Sequence, residues 1–346
     1  MPPFARILLA LAIGAAGGTA FNLMNLPLPW MLGALFATMA AAIGGAPVLP
    51  PARLRPATVA VIGVLLGARF TPDVLGQAAD WGLTLLILLV YLAAVGLIVV
   101  PFYRFVGRFD WTTAYFAGMP GGLAEMIEIG EARGARVDQV ILSHSLRIVM
   151  TIALIAFWFR VVQGATVSGA AGAAAGWPAL PDLALLLLAA VLGSLLGHRL
   201  RLPAPAFLGP LVVSAGLHLT GLTHSAPPAV LVSAAQVILG TVLGARFIGI
   251  RPAALLRSGA LSLGATLLIL ALALGFGQAM RAWAGIDLDQ ALLALAPGGL
   301  TEMGLIALAI HADVAFVALH HVVRILAIIV AAPVVHRLLA SGPRKP

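Results

Sequence analysis

Pro120-Gly121-Gly122-Leu123-Ala124-Glu125-Met126 and Pro297-Gly298-Gly299-Leu300-Thr301-Glu302-Met303 are two versions of one sequence, 177 positions apart (120 to 297). In each, a proline and paired glycines interrupt an apolar run and leave amides without intrahelical partners, which hydrocarbon penalises unless protein, water or ligand satisfies them. The helix that resumes at Leu123 or Leu300 aims its N-terminal dipole into the interruption, and Glu125 or Glu302 falls in its first turn. The chain therefore builds, twice, a polar discontinuity inside an apolar sequence.

Further matches frame these two. Leu26-Pro27-Leu28-Pro29-Trp30-Met31-Leu32-Gly33 returns as Leu202-Pro203-Ala204-Pro205-Ala206-Phe207-Leu208-Gly209, 176 positions on (26 to 202). Gly67-Ala68-Arg69-Phe70 returns as Gly244-Ala245-Arg246-Phe247, and His144-x-x-Arg147 as His321-x-x-Arg324, both 177 positions on (67 to 244, 144 to 321). Ordered matches at a near-constant offset indicate an internal repeat. They divide the chain into a first membrane repeat over 1–160, a Gly/Ala/Ser-rich linker over 161–180, a second membrane repeat over 181–339 and a cytoplasmic tail over 340–346. The first apolar run resembles a signal peptide by itself, but it aligns with 181–197 and so belongs to the fold.

Of the 346 residues, 62% are hydrophobic and 9% charged, a composition that a water-soluble core does not require. Apolar runs such as 81–100, 182–197, 258–276 and 313–335 approach the length needed to cross a bilayer. The absence of cysteine excludes disulfides, thiolate catalysis and thiolate metal sites. A net charge of +8 raises the question of nucleic acid, but in a membrane protein the side that carries the arginines is decided first. If the N-terminus is cytoplasmic and each Pro-Gly-Gly segment enters and leaves from one side, Arg69, Arg160 and Arg281 lie outside. Arg147 and Arg324 lie within helices, and the other fifteen of twenty basic residues lie inside. This reading gives an all-α polytopic membrane protein of two inverted-topology repeats. It has about 10 full crossings plus two re-entrant or broken Pro-Gly-Gly elements, in a bacterial inner membrane with both termini cytoplasmic. The positive charge then reports orientation, and nucleic acid is not expected as a partner.

The candidate substrate or coupling-ion site comprises Pro120, Gly121, Gly122, Glu125, His144 and Arg147 with their counterparts Pro297, Gly298, Gly299, Glu302, His321 and Arg324. For the carboxylates two readings stand side by side: caps of their own helices, or contacts to substrate, sodium or protons. The arginines either bind an anionic substrate through their forked donors or pair with Glu125 and Glu302. The histidines share a helix face with the arginines and either relay protons or act as buried hydrogen-bonding groups. His311, Asp313, His320 and His321 raise a metal site on one side only; the matching positions include Gly134, Arg136 and Ser143, so no metal is expected. Asn22 and Asn25 line a cavity or end a helix, Gln236 is isolated, and the Leu-Pro-x-Pro prolines punctuate helices.

The Leu-Pro-x-Pro, Gly-Ala-Arg-Phe and Pro-Gly-Gly-Leu-x-Glu-Met pairs resemble the AbrB-type integral membrane family, whose members include proteins labelled as ammonia monooxygenase regulators. The resemblance covers nearly the whole chain. The family shares its name with soluble DNA-binding regulators, and this chain contains no cytosolic stretch large enough for a DNA-reading module. Inverted repeats around broken helices favour a secondary transporter for a small organic anion or zwitterion, with proton coupling preferred and sodium open. The alternative is a non-transporting membrane signalling or scaffold protein, in which fixed charges and glycine packing are structural. Neither an enzymatic activity nor a cofactor is expected. The lipid bilayer is the expected surrounding, and homodimerisation is compatible with the apolar composition.

Overall fold

The computed structural model describes residues 1–165, 167, 168 and 170–340. Of the tail assigned to 340–346, residues 341–346 lie outside the described residues. The α-helices run in the order α1 (Pro3–Leu23), α2 (Pro29–Ile43), α3 (Arg55–Gly67), α4 (Pro72–Gln77), α5 (Gly82–Phe105), α6 (Trp111–Gly118), α7 (Leu123–Glu131) and α8 (Val137–Phe157). They continue with α9 (Leu180–Arg199), α10 (Pro205–Leu219), α11 (Ala229–Gly244), α12 (Pro252–Ala284), α13 (Leu288–Leu295), α14 (Leu300–Ala309) and α15 (Val314–Ala340). Among the described residues there is no strand, and a single isolated bridge joins Ala174 to Pro228.

Seven helical spans among the described residues have the length and composition to cross a bilayer: α1, α5, α8, α9, α11 with the turn that continues it to Phe247, α12 and α15. This is the character of a multi-pass membrane protein. Their outward faces are apolar, as Leu97 on α5 (77% exposed) and Val330 on α15 (73% exposed) show, which suits lipid and not water. The helices α2 and α10, of 15 residues each, are apolar but shorter.

The two Leu-Pro-x-Pro stretches share a backbone conformation. Leu28 and Ala204, 176 positions apart, both adopt a left-handed conformation (φ 43° and 47°), each directly before a proline that opens α2 or α10. Such a conformation costs a non-glycine residue about 1 kcal/mol or more, and Leu28 is held in it by donating its N–H to Val167 O at 2.9 Å. Asn25 and Arg201 share φ 53°, again 176 positions apart. Pro29 and Pro205 occupy the opening turn, where a missing N–H costs nothing.

The chain divides into two compact units, each drawing on both halves of the sequence. The first comprises Met1–Ala78, Ile152–Pro252 and Thr301–Ala315. Within it α1 packs on α2 and α2 on α11, while α9 packs on α10 and α10 on α3. A methyl group at Gly33 of α2 would overlap Gly17 O of α1, and one at Gly209 of α10 would overlap Gly193 O of α9. Gly63 of α3 abuts the backbone of Phe207 in α10, and its counterpart Gly240 of α11 abuts that of Met31 in α2. Backbones this close gain dispersion contact that any side chain would forbid, which is how helices associate without a hydrophobic drive from lipid.

The second unit comprises Ala79–Thr151, Ala253–Leu300 and Phe316–Pro346. Here α6 packs between α5 and α7. Tyr91 of α5 meets Phe276 of α12 edge to face, with centroids 5.6 Å apart. Both Pro-Gly-Gly segments and both buried arginines belong to this unit.

Candidate functional site

The first interruption begins where α6 ends at Gly118 and closes where α7 starts at Leu123. Proline at 120 cannot donate, and the extended backbone at Met119 and Gly122 carries the chain across. A helix that stops inside an apolar environment leaves its last four carbonyls without partners. Two side chains of α8 take up that role. Arg147 donates from Nη1 to Ala117 O at 2.9 Å and to Gly118 O at 3.4 Å, and from Nη2 to Met119 O at 3.4 Å. His144, one turn earlier, contacts Phe116 O through Nε2 at 2.7 Å. Carbonyls 116 to 119 are thus all engaged by one helical turn of α8.

The second interruption, between α13 and α14, is closed by the equivalent residues of α15. His321 Nε2 donates to Leu293 O at 2.9 Å, and Arg324 donates from Nη2 to Gly298 O at 3.0 Å and from Nη1 to Ala296 O. Leu295 O is filled from elsewhere: Tyr91 on α5 donates its hydroxyl to it at 2.9 Å.

Arg147 is 2% exposed and Arg324 3%. Neither forms a salt bridge with Glu125, which lies in the same unit; the one salt bridge among the described residues joins Arg136 to Asp110 at 3.8 Å. The magnitudes explain why no carboxylate is needed. An arginine at the centre of a span costs about 3 kcal/mol, whereas each hydrogen bond with a charged donor contributes about 1.5–3 kcal/mol. Two or three carbonyls at the negative end of a helix dipole therefore suffice.

The carboxylates sit at the opposite, positive ends. Glu125 is half-buried and folds back so that its Oε2 fills the space a side chain would take at Gly122, the N-cap of α7. It thereby occupies the third helical position, where an acid offsets exposed amides. Glu302 is buried (8% exposed) in the first turn of α14, within the first unit. The charges acting on it are the guanidiniums of Arg55 and Arg246. Each break thus carries an acid at the start of the following helix, and an arginine on the carbonyls that end the preceding one.

The remaining sequence candidates are placed as follows. Among the described residues no three His, Cys, Asp or Glu side chains form a group that could hold a metal. His320 is bound to Phe316 O at 2.8 Å and to Thr84 Oγ at 3.0 Å. Asp313 accepts from Ala315 N at 2.8 Å and so caps α15. Asn25 ends α1 with positive φ, and its carbonyl accepts from Arg160. Two contributors carry no mark of their role in the sequence. Tyr91 has Leu268 as its counterpart, so no repeat marks it. Arg246, assigned only to a membrane side, is the positive neighbour of Glu302; the repeated Gly-Ala-Arg-Phe motif was the signal, and its role required the fold.

Residues 30–340 match the family described as transition state regulatory protein AbrB. The chain belongs to this family. It is 28% identical to the uncharacterized protein YhjN of Bacillus subtilis (strain 168), over 95% of this chain and 92% of that protein. It is 27% identical to AbrB of Escherichia coli (strain K12), named as a regulator, over 93% of this chain and 92% of that protein.

The comparisons correct the transporter expected from the broken helices. One relative is named as a regulator and the other is uncharacterized, and neither is named as a carrier. The physical reason for the error is that an interrupted helix with buried charge signals a need for polar partners, without saying whether solute or protein supplies them. In this chain, side chains of the protein supply partners for carbonyls at both breaks.

Proposed function

We propose that this AbrB-family chain is a membrane-embedded regulatory protein, a non-transporting signalling or scaffold component. One observation carries the reading: the chain's own side chains take up carbonyls at each helix break. His144 and Arg147 lie on carbonyls 116 to 119, and His321, Arg324 and Tyr91 lie on carbonyls 293, 295, 296 and 298. Carbonyls and guanidiniums bound to one another form a fixed scaffold that holds two half-helices in place. The relative named as a regulator supports the same reading.

The architecture that goes with it is a pair of inverted repeats with the N-terminus cytoplasmic and the Pro-Gly-Gly elements re-entrant. Glycine contacts support it. Successive glycines Gly240 and Gly244 of α11 follow Met31 and Leu35 of α2 in the same direction, so the two helices run parallel. If α2 and α3 cross in opposite senses, α11 runs opposite to α3, its own counterpart. Arg69 donates to Gly172 O at 2.6 Å and Arg160 to Asn25 O at 3.2 Å, contacts that join residues assigned to the outer side.

The test is expression profiling of a deletion strain complemented with the wild-type chain or with a folded Glu125→Gln/Glu302→Gln double variant. Deletion is expected to change transcript levels of a defined gene set, and both chains are expected to restore them, because the double variant keeps the scaffold. Transcript levels unaltered by deletion would overturn the regulatory reading.

A further inference from the structure

His218 stands near the C-terminal end of α10, half-buried, in the first unit. Its Nδ1 lies 2.7 Å from Ser214 O, one turn back, and its Nε2 lies 3.0 Å from Ser225 O in the segment that leads to α11. A peptide carbonyl can only accept a hydrogen bond. Both ring nitrogens must therefore carry hydrogen for both contacts to exist, and an imidazole with two N–H groups is the imidazolium cation.

Ser225 is fixed from its other side as well. Its N–H donates to Thr223 Oγ at 3.1 Å, and Thr223 donates its hydroxyl to Asp182 Oδ1 at 2.7 Å, at the start of α9. The segment then meets the linker, where Ala174 N donates to Pro227 O at 3.0 Å and Ala229 N to Ala174 O at 2.9 Å. At this end of the surrounding elements the charged or titratable groups are Asp182 on α9, Arg69 after the end of α3, which is turned to Gly172 O, and His224 within the segment itself; Arg55 on α3 and His198 and Arg199 on α9 lie at the far ends of their helices.

The equivalent connection in the first half is built differently. Residue 182 corresponds to Arg6 and residue 218 to Ala42, at the offset of 176. Arg6 reaches across to the connection between α2 and α3 and donates to Pro47 O at 3.3 Å and Val48 O at 3.5 Å. One connection is thus held by a cation that never loses its proton. The other is held by an imidazolium, a cation that can give its proton up.

We propose that His218 is a proton-operated clasp on the 220–228 connection. Protonated, it ties Ser225 to the end of α10. On losing one proton it keeps the shorter, local bond to Ser214 O, and the contact to Ser225 O becomes lone pair against lone pair, which frees the connection. In the topology proposed above, this connection faces away from the cytoplasm, where pH follows the surroundings; the clasp itself does not depend on that assignment.

The chain has no native cysteine, so a spin label at Leu222→Cys, an exposed position (61%), reports on the connection alone. The labelled full-length chain in lipid nanodiscs is compared by electron paramagnetic resonance between pH 5 and pH 8. The label is expected to be restrained at pH 5 and severalfold more mobile at pH 8. His218→Gln should abolish the pH dependence, His224→Gln should preserve it, and His218→Lys should keep the label restrained at both pH values as Arg6 does for its own connection. A label whose mobility does not change with pH in the otherwise native chain, or a transition that survives His218→Gln or vanishes with His224→Gln, would overturn the clasp.

Discussion

Arg147 donates from Nη2 to Nδ1 of His144 at 2.9 Å, and this one bond sets the tautomer of the histidine. With Nδ1 accepting, the ring proton resides on Nε2 and donates to Phe116 O. Arginine and histidine therefore act as one unit on the end of α6. His321 and Arg324 do the same for α13 without that bond, and His321 Nδ1 has no hydrogen-bond partner.

Removing the guanidinium leaves buried carbonyls unsatisfied at the break. Arg147→Gln is expected to lower stability by about 3 kcal/mol or more, and His144→Ala by about half as much, since it frees a single carbonyl. Denaturant titration of the purified chain in detergent checks this. Equal, small losses of under about 0.5 kcal/mol, the size of an ordinary surface change, would show that the carbonyls find other partners.

Glycine packing in the first unit makes a sharper forecast because a control lies in the same helix. Gly209→Ala places a methyl group against Gly193 O, and is expected to cost about 1–3 kcal/mol. Gly216→Ala, also in α10, has open space around it and should stabilise by about 0.5–1 kcal/mol. Thermal melting of the two variants should move in opposite directions. Movement of both in one direction would contradict the close approach of α9 and α10.

These glycines also show how far the sequence could be read. The offset linking Gly33 to Gly209 and Gly63 to Gly240 was available from the motifs, and the duplicated Leu-Pro-x-Pro turns appear as duplicated left-handed residues before the opening prolines of α2 and α10. The two interruptions were also legible, because proline and paired glycines break a helix whatever surrounds them. What fills them was not. Whether Arg147 meets a carboxylate, a solute or a carbonyl depends on the register of α8 against α6, and no pattern within either segment fixes that register. Charge seeks charge in water, whereas at a helix end the backbone itself is the negative partner.

The paired N-caps offer a comparison within one chain. Asp110 accepts from Thr113 N at 2.8 Å and from Thr113 Oγ at 2.6 Å, whereas its counterpart Asp287 caps α13 with no side-chain hydrogen bond. Burial pushes the Asp110 carboxyl up, but the Thr113 bonds and the Arg136 charge outweigh it and hold it below the usual carboxylate range. The stability it contributes is therefore present above the unfolded pKa of about 3.9 and lost as pH falls through the lower folded value. Asp110→Ala should cost about 1 kcal/mol at neutral pH and Asp287→Ala only a few tenths. A larger loss for Asp287 would refute the assignment.

Orientation can be read by thiol labelling, since cysteine is absent from the native chain. Arg53→Cys should react only when the cytoplasmic face is open to the reagent, and Arg281→Cys should react in intact cells. Reaction of Arg281→Cys from the cytoplasmic face alone would remove the inverted topology proposed for the two halves.

Solute flux separates a scaffold from a carrier, because a scaffold whose helix ends are held by its own arginines has no need to move anything. The folded chain is reconstituted in proteoliposomes, and uptake of small organic anions and zwitterions is followed under separately imposed proton and sodium gradients. Uptake is expected to be indistinguishable from that of empty vesicles under every gradient. Saturable uptake by the wild-type chain that disappears in a folded Glu302→Gln variant would contradict it.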